Sequence, residues 1–233
     1  MSMAGSDTLT GIELFSVLPP EDVKRLEQRC AWKKFKKQEL IIDRQAESRE
    51  VYFVVSGRVR VVNYSLSGRE VTFDDLGAGV MFGELAALDS QPRSANVVAL
   101  ENTTVATLTH ETFRELLLEH PDLAVKIMVQ MARIIRTSTE RIMDLSTLGA
   151  NNRIHAELLR LAKSNMNDED NTAVIKPIPI HGDIASRVST TRETVARVLG
   201  DLSRNELVVR EEDRLIIRDV DRLTDMVEQF RGS

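Results

Sequence analysis

Phe82-Gly83-Glu84-Leu85-Ala86-Ala87-Leu88-Asp89-Ser90-Gln91-Pro92-Arg93-Ser94-Ala95 is the most informative stretch of this chain. A glycine ahead of a short helix-forming run lets a ligand approach the backbone. It also leaves free N–H groups at a helix start, and the two together favour an anionic phosphate. Arg93 brings the countercharge on a fixed fork of donors matched to phosphate oxygens. The Ser94 hydroxyl can donate as well, and Glu84 is an acceptor suited to a sugar hydroxyl. A glycine and a glutamate at one turn are commonplace; joined to Arg93 and Ser94 they become specific.

The surroundings of this stretch are β-rich. From Leu40 to about Leu108, short runs alternate with glycines: Val51-Tyr-Phe-Val-Val before Gly57, then Val59, Val61 and Val62 before Gly68, then Val71-Thr-Phe before Gly77 and Gly79. Regular short strands with such punctuation indicate an antiparallel sandwich or roll. In Arg58-Val-Arg-Val the alternation predicts a strand with one wet face. A strand pair, Ser94 to Leu100 and Thr104 to Leu108, is expected to close the unit.

From Glu111 to about Leu148 the chain becomes helical, with a break where His120 precedes Pro121. In the second helix Ile127, Met131, Ile134, Ser138, Arg141 and Leu145 recur at spacings of four and three, which predicts a coiled-coil seam. The simplest partner for it is a second copy in a two-fold dimer, and packing within the chain is the alternative. Ser138 and Thr139 interrupt the seam, and a hydroxyl there costs stability unless it sets register or meets a ligand.

A second domain is expected from about Asn151. It has an amphipathic segment Ile154 to Ala162, a solvated loop Ser164 to Thr172, helices near Asp183–Arg187 and Arg192–Arg204, two short strands, and a last helix near Val220–Phe230. Ile184 and Val188, the turn Ser189-Thr190, and Val195, Val198, Leu199 and Leu202 have the spacing of a helix-turn-helix, with Thr191 as N-cap of its second helix. That leaves Arg192, Glu193 and Arg197 facing outward where a major-groove reader needs them. Arginine can donate twice to guanine, and glutamate can accept from cytosine N4. Leu207-Val-Val-Arg and Arg214-Leu-Ile-Ile, joined by the acidic Glu211-Glu-Asp213, read as a two-stranded wing. Between Ile180 and Arg204 four arginines face three acidic residues, so affinity for duplex DNA is expected to rest on base contacts more than on phosphate neutralisation.

Composition removes other classes. A lone cysteine, Cys30, can form neither an intrachain disulfide nor a four-thiolate cluster. The four scattered histidines, read as surface or capping residues, include no helical pair, so no metal is expected. The net charge of −5 argues against indiscriminate coating of nucleic acid. The polar N-terminus and the lack of a long apolar run predict a cytoplasmic protein with no membrane partner. There is no nucleophile-elbow, Walker, metal-ligand or paired-carboxylate motif, so an enzyme is not expected.

The 82–95 stretch resembles the phosphate-binding cassette of cyclic-nucleotide-binding domains. Over roughly Leu14 to Arg218 the chain resembles the cyclic AMP receptor / FNR family of bacterial transcription regulators, closest to its cyclic AMP receptor branch. The resemblance implies an α+β fold: a cyclic-nucleotide-binding antiparallel β-roll over 12–120, a dimerisation helix over 121–149 and a winged helix-turn-helix over 150–233. It implies that the backbone at Gly83 and Leu85, with Arg93 and Ser94, holds a cyclic phosphate while Glu84 takes the ribose 2′-hydroxyl. The ligand would be cAMP, with cGMP also compatible through Ser94. Gln130 to Arg141 is similar to the family's dimer helix, where hydroxyl residues matching Ser138 and Thr139 meet the adenine amino group. Arg192-Glu-Thr-Val-Ala-Arg197 is similar to the recognition helix. It implies a homodimer reading a palindromic TGTGA-like site in double-stranded DNA, with RNA polymerase as partner.

Two departures stand out: the loop 44–49 lacks the glycine common in the family, and Ser189 occupies the glycine position of the helix-turn-helix turn. Two other readings stay open: a nucleotide-independent member of the family, and a nucleotide-responsive module that docks a protein.

Overall fold

The computed structural model of the chain describes residues 8–167 and 169–231. It divides into two units, which part between Arg133 and Ile134. The first holds α1 (Pro20–Arg29), β1 (Ala31–Phe35), β2 (Leu40–Ile42), β3 (Val51–Ser56), β4 (Arg58–Tyr64), β5 (Glu70–Gly77) and β6 (Met81–Phe82). α2 (Glu84–Asp89), β7 (Asn96–Ala99), β8 (Thr103–Leu108), α3 (His110–Glu119) and α4 (Pro121–Thr147) follow, and the division falls within α4. The strands form two four-stranded antiparallel sheets, ordered β1-β8-β3-β6 and β2-β7-β4-β5. The expected strand pair at the end of the roll is therefore not a pair, since β7 and β8 join different sheets.

β3 explains the unbroken apolar run Val51-Tyr-Phe-Val. All four residues are buried, because both faces of the strand are covered. Tyr52 and Val54 pack with Ile42, Val59, Phe82, Val97 and Val105. Val51 and Phe53 face the helical side, with Leu9, Phe15, Leu108, Phe113, Leu123 and Ile127. The rings of Phe15 and Phe53 lie 4.8 Å apart. Apolar side chains sealed on both faces make this strand the keel of the roll.

β4 departs from its sequence reading. Arg60 does not face water: it is buried opposite Asp75 of β5, to which it donates from Nε at 2.7 Å and Nη2 at 2.9 Å. Glu70 lies 3.3 Å from Nη1. Alternation of apolar and charged residues does not distinguish a wet strand face from one whose charges are paired across the ladder.

The helical break occurs as expected at His120-Pro121, and α3 opens on the Thr109 hydroxyl, which accepts from the Thr112 N–H. The expected coiled-coil seam is covered within the chain at only part of its length. Ile127 is buried and Met131 half-buried against the roll's core. In the second unit Arg141 lies 3.8 Å from Glu157 and is taken up by intrachain pairing. The apolar residues of α4 that stay exposed are Val125, Met128 and Val129 in the first unit and Ile134, Ile135, Ile142, Met143 and Leu145 in the second, so Ile134 and Leu145 of the expected seam remain open.

The second unit continues from α4 with α5 (Ala150–Ala162), β9 (Met166–Asn167), β10 (Thr172–Ile175), α6 (His181–Arg187), α7 (Arg192–Arg204), β11 (Val208–Glu211), β12 (Arg214–Ile217) and α8 (Val220–Arg231). The polar stretch expected to be a loop carries a small hairpin, so the wing strands extend a sheet ordered β11-β12-β10-β9. Ile154, Leu158, Ile184, Val195, Val198, Leu202, Ile217 and Leu223 form its core. His155 is buried rather than on the surface, and burial pushes its imidazole pKa down, which keeps it neutral.

A buried ion network ties α4, α5 and α6. Glu157, 1% exposed, is paired with Arg160 and lies 3.5 Å from Arg187, while Arg160 also donates to Asp144 at 2.8 Å. Arg153 holds the helix-turn-helix turn, donating to the carbonyls of Val188 at 2.9 Å and Ser189 at 3.3 Å, and to Leu148 at 2.8 Å. Ser189 takes φ +53°, the left-handed conformation that its side chain disfavours.

Two outcomes follow for stability. Asp75→Ala takes from the buried Arg60 the carboxylate that accepts two of its bonds, with Glu70 still beside it, and should destabilise the protein by about 3 kcal/mol in a denaturant titration. Ser189→Gly relieves the left-handed serine and should stabilise it by roughly 0.5–1 kcal/mol. A loss of stability would show that the serine side chain compensates for the strain.

Candidate nucleotide pocket and DNA-reading helix

β6 pairs with β3, setting Phe82 beside Tyr52 with their rings stacked 5.0 Å apart. The chain must then turn sharply into α2, and Gly83 does so at φ +79°. A Cβ at this glycine would stand 2.8 Å from Arg93 Nη1 and 3.2 Å from the Glu50 carbonyl oxygen, so both backbone conformation and space demand glycine. After α2, Ser90 at φ +60° redirects the chain towards Arg93 and β7.

Arg93 is 4% exposed and packs over the Tyr52 ring, its Cζ 5.7 Å from the centroid. Its Nη1 donates to the Gly83 carbonyl at 2.8 Å, Nη2 to the Glu50 carbonyl at 2.9 Å, and both Nε and Nη2 reach Ser48 Oγ at 3.3 and 3.2 Å. The glycine-poor loop before β3 is thus held by the same guanidinium that organises the cassette. It forms with no positive φ at residues 43–50: Gln45 N–H bonds Asp43 Oδ1 at 2.8 Å and Arg44 N–H bonds Asn96 Oδ1 at 2.9 Å. The missing glycine is not needed.

Glu84 opens α2 and is buried. Desolvation pushes its carboxyl pKa up, while its own backbone N–H and the Arg93 charge pull it partly back. The structure therefore brings Gly83, Glu84 and Arg93 together, and leaves Leu85 and Ser94 exposed beside them. The Ser94 carbonyl accepts from Asn63 Nδ2 at 3.1 Å. Ser48, Glu50 and Tyr52 belong to this site as well. Sequence reading missed them because only the folded sheet sets the approach to β3 beside the cassette. Ser138 and Thr139 are exposed on α4, where the Thr139 hydroxyl donates to the Ile135 carbonyl at 2.9 Å.

In the second unit Thr191 caps α7, its hydroxyl accepting from the Thr194 N–H at 3.2 Å. Arg192, Glu193 and Arg197 are all exposed on the N-terminal half of that helix. Glu193 is held below the usual carboxylate range by its own backbone N–H and by the Thr191 hydroxyl, and so stays an ionised acceptor. Arg192 lies against Gly182, where a Cβ would stand 3.0 Å from its Nε. Arg197 donates to Asn151 Oδ1 at 3.2 Å. At the wing tip Glu211 pairs with Arg214 at 2.7 Å and Asp213 with Lys176 at 2.6 Å, which tempers the acidic turn.

Cys30 is half-buried beside Glu27, and burial first, then that charge, pushes its thiol pKa up to about 12, so it is a poor nucleophile. Among the described residues no helix is long and apolar enough to cross a membrane.

Residues 32–120 match the model of the cyclic nucleotide-binding domain, and residues 152–226 that of the Crp-like helix-turn-helix domain. The cyclic AMP receptor protein of Thermus thermophilus is 30% identical over 200 residues, covering 86% of this chain and 89% of its own. The cAMP-activated global transcriptional regulator CRP of Escherichia coli is 30% identical over 182 residues, covering 77% and 85%. Among solved structures, a CooA mutant from Carboxydothermus hydrogenoformans superposes with a TM-score of 0.80 at 22% identity, covering 92% of this chain and 95% of that one. With an antiparallel roll, a long helix and a winged helix-turn-helix in family order, and with relatives that match over most of its length, the chain belongs to the CRP/FNR family of DNA-binding transcription regulators.

Proposed function

We propose that the protein is a cAMP-controlled regulator that binds, as a homodimer, a palindromic TGTGA-like site. The observation that carries the reading is the buried Arg93 guanidinium, set against Gly83 and the start of α2, since a charge is kept out of water there only by dense polar contact. In this reading the backbone at Gly83 and Leu85, with Arg93 and Ser94, holds the cyclic phosphate, and Glu84 accepts the ribose 2′-hydroxyl. Ser138 and Thr139 are the hydroxyls that meet the adenine amino group. The exposed apolar residues of α4, Ile134 and Leu145 of the expected seam among them, support pairing with a second copy. The domain limits are 12–120, 121–149 and 150–233, and the protein works in the cytoplasm with RNA polymerase.

At the DNA end the reading assigns base recognition to Arg192, Glu193 and Arg197, with Thr191 and Ser189 setting the entry of α7. The exposure of those three charged side chains on the first half of the helix supports it. Arg197 must exchange its bond to Asn151 for the base. Ligand binding then acts by favouring one arrangement of the dimer over another.

One observation favours a second reading, a regulator that needs no nucleotide: Arg93 already spends its donors on Ser48, Gly83 and Glu50. The two are separated by titrating a labelled palindromic TGTGA-type duplex, at fixed salt, with no nucleotide, with cAMP and with cGMP. Tightening by cAMP alone is expected. Equal tight binding in all three would establish the nucleotide-independent regulator, and no specific binding would leave a protein-docking module. Arg192→Ala should weaken discrimination by about 10-fold or more while leaving nucleotide binding unchanged.

Glu84 gives a pH signature. Its pKa is raised in the folded state, so its contribution to stability is present at low pH and is lost as pH rises through that raised value. Glu84→Gln lacks this loss. The melting temperature of the variant should therefore gain on that of the parent as pH increases above the ordinary glutamate range, and a constant difference between pH 5 and 8 would show the carboxyl to be unperturbed.

A further inference from the structure

Glu50 stands just ahead of β3, and its carboxylate meets the one cation of the nucleotide cassette. Oε2 lies 3.6 Å from Arg93 Nη2, and this oxygen is sealed from solvent with no hydrogen-bond partner. The Arg93 side chain is only 2% exposed and that of Glu50 36%. The two N–H groups of Nη2 are directed to the Glu50 main-chain carbonyl and to Ser48 Oγ, so the carboxylate is held by charge alone. Such a pairing satisfies the guanidinium's charge without using its donors.

A cyclic phosphate entering this cassette carries the same sign as Glu50 and needs the same guanidinium. Glu84, also buried beside Arg93, adds a second carboxylate to the site. One arginine must then serve the phosphate and the Glu50 carboxylate, with the buried Glu84 beside them, in a region where like charges a few ångströms apart repel strongly.

We propose that Glu50 is an internal competitor for Arg93: its carboxylate occupies the field of the guanidinium when no ligand is bound, and so raises the nucleotide concentration needed to fill the roll. The proposal rests on the reading of the roll as a cyclic-nucleotide site. It makes Glu50 a determinant of the sensing threshold rather than a contact of the ligand. Neutralising the carboxylate without changing its shape removes the competition and leaves the Ser48, Gly83 and main-chain bonds of Arg93 in place.

Calorimetric titration of the full chain with cAMP and with cGMP tests this, using the parent, Glu50→Gln and Glu50→Asp, each checked for an unchanged melting temperature without ligand. Glu50→Gln should tighten binding by about tenfold, as expected for removal of one nearby like charge, with Glu50→Asp staying near the parent. Binding by Glu50→Gln alone would support the proposal in its strongest form. Equal or weaker binding by Glu50→Gln, with the parent still binding, would overturn the role of Glu50 and leave the nucleotide reading standing. Failure of all three proteins to bind either nucleotide would instead remove the nucleotide reading, and this proposal with it.

Discussion

Burial of the Arg93 guanidinium is the constraint around which the first unit is arranged. A cation withdrawn from water must find acceptors for most of its N–H groups. Here they come from two separate parts of the chain: Ser48 and the Glu50 carbonyl ahead of β3, and the Gly83 carbonyl at the end of β6. Those bonds close the cassette against the sheet, and Gly83 has to be glycine because any Cβ would press on the guanidinium. Tyr52 completes the enclosure by offering its ring face, and the stack with Phe82 fixes that ring.

The second unit solves a different problem with the same chemistry. A recognition helix is useful only if its exposed side chains are held at a fixed pitch, and exposed side chains cannot hold themselves. Arg153 grips the carbonyls of the turn before α7, and Glu157 gathers arginines from α4, α5 and α6. Buried pairs of this kind add little net stability, but breaking one leaves an uncompensated charge, so they resist rearrangement. The Thr191 cap then sets where α7 begins, which fixes the direction of Arg192, Glu193 and Arg197.

Much of this was legible from residue order. The strand runs, the break at Pro121, the cap at Thr191 and the wing strands follow from local rules, because apolar periodicity, proline and capping hydroxyls act within a few residues. The cassette was legible for the same reason, its glycine, glutamate and arginine lying in one short stretch. Ser189 was flagged as a misfit in its turn and does adopt the left-handed conformation. Readings failed where a long-range partner decided the outcome. Alternation alone makes Arg60 solvated, but Asp75 stands opposite it, and the seam expected to face a second copy has Ile127 and Met131 covered by the roll's core instead.

The sequence by itself determined most of the order of elements, the glycine–glutamate–arginine stretch and the family, since each is written in contiguous residues whose preferences need no distant contact. Tertiary structure decided which apolar face of α4 remains open, which strands share a sheet, and which charges are buried. It also decided that Ser48, Glu50 and Tyr52 surround Arg93, which no local pattern marks. The physical reason is that electrostatic pairing and burial depend on distance in space, and the chain acquires those distances only when β3 and β6 come together in one sheet.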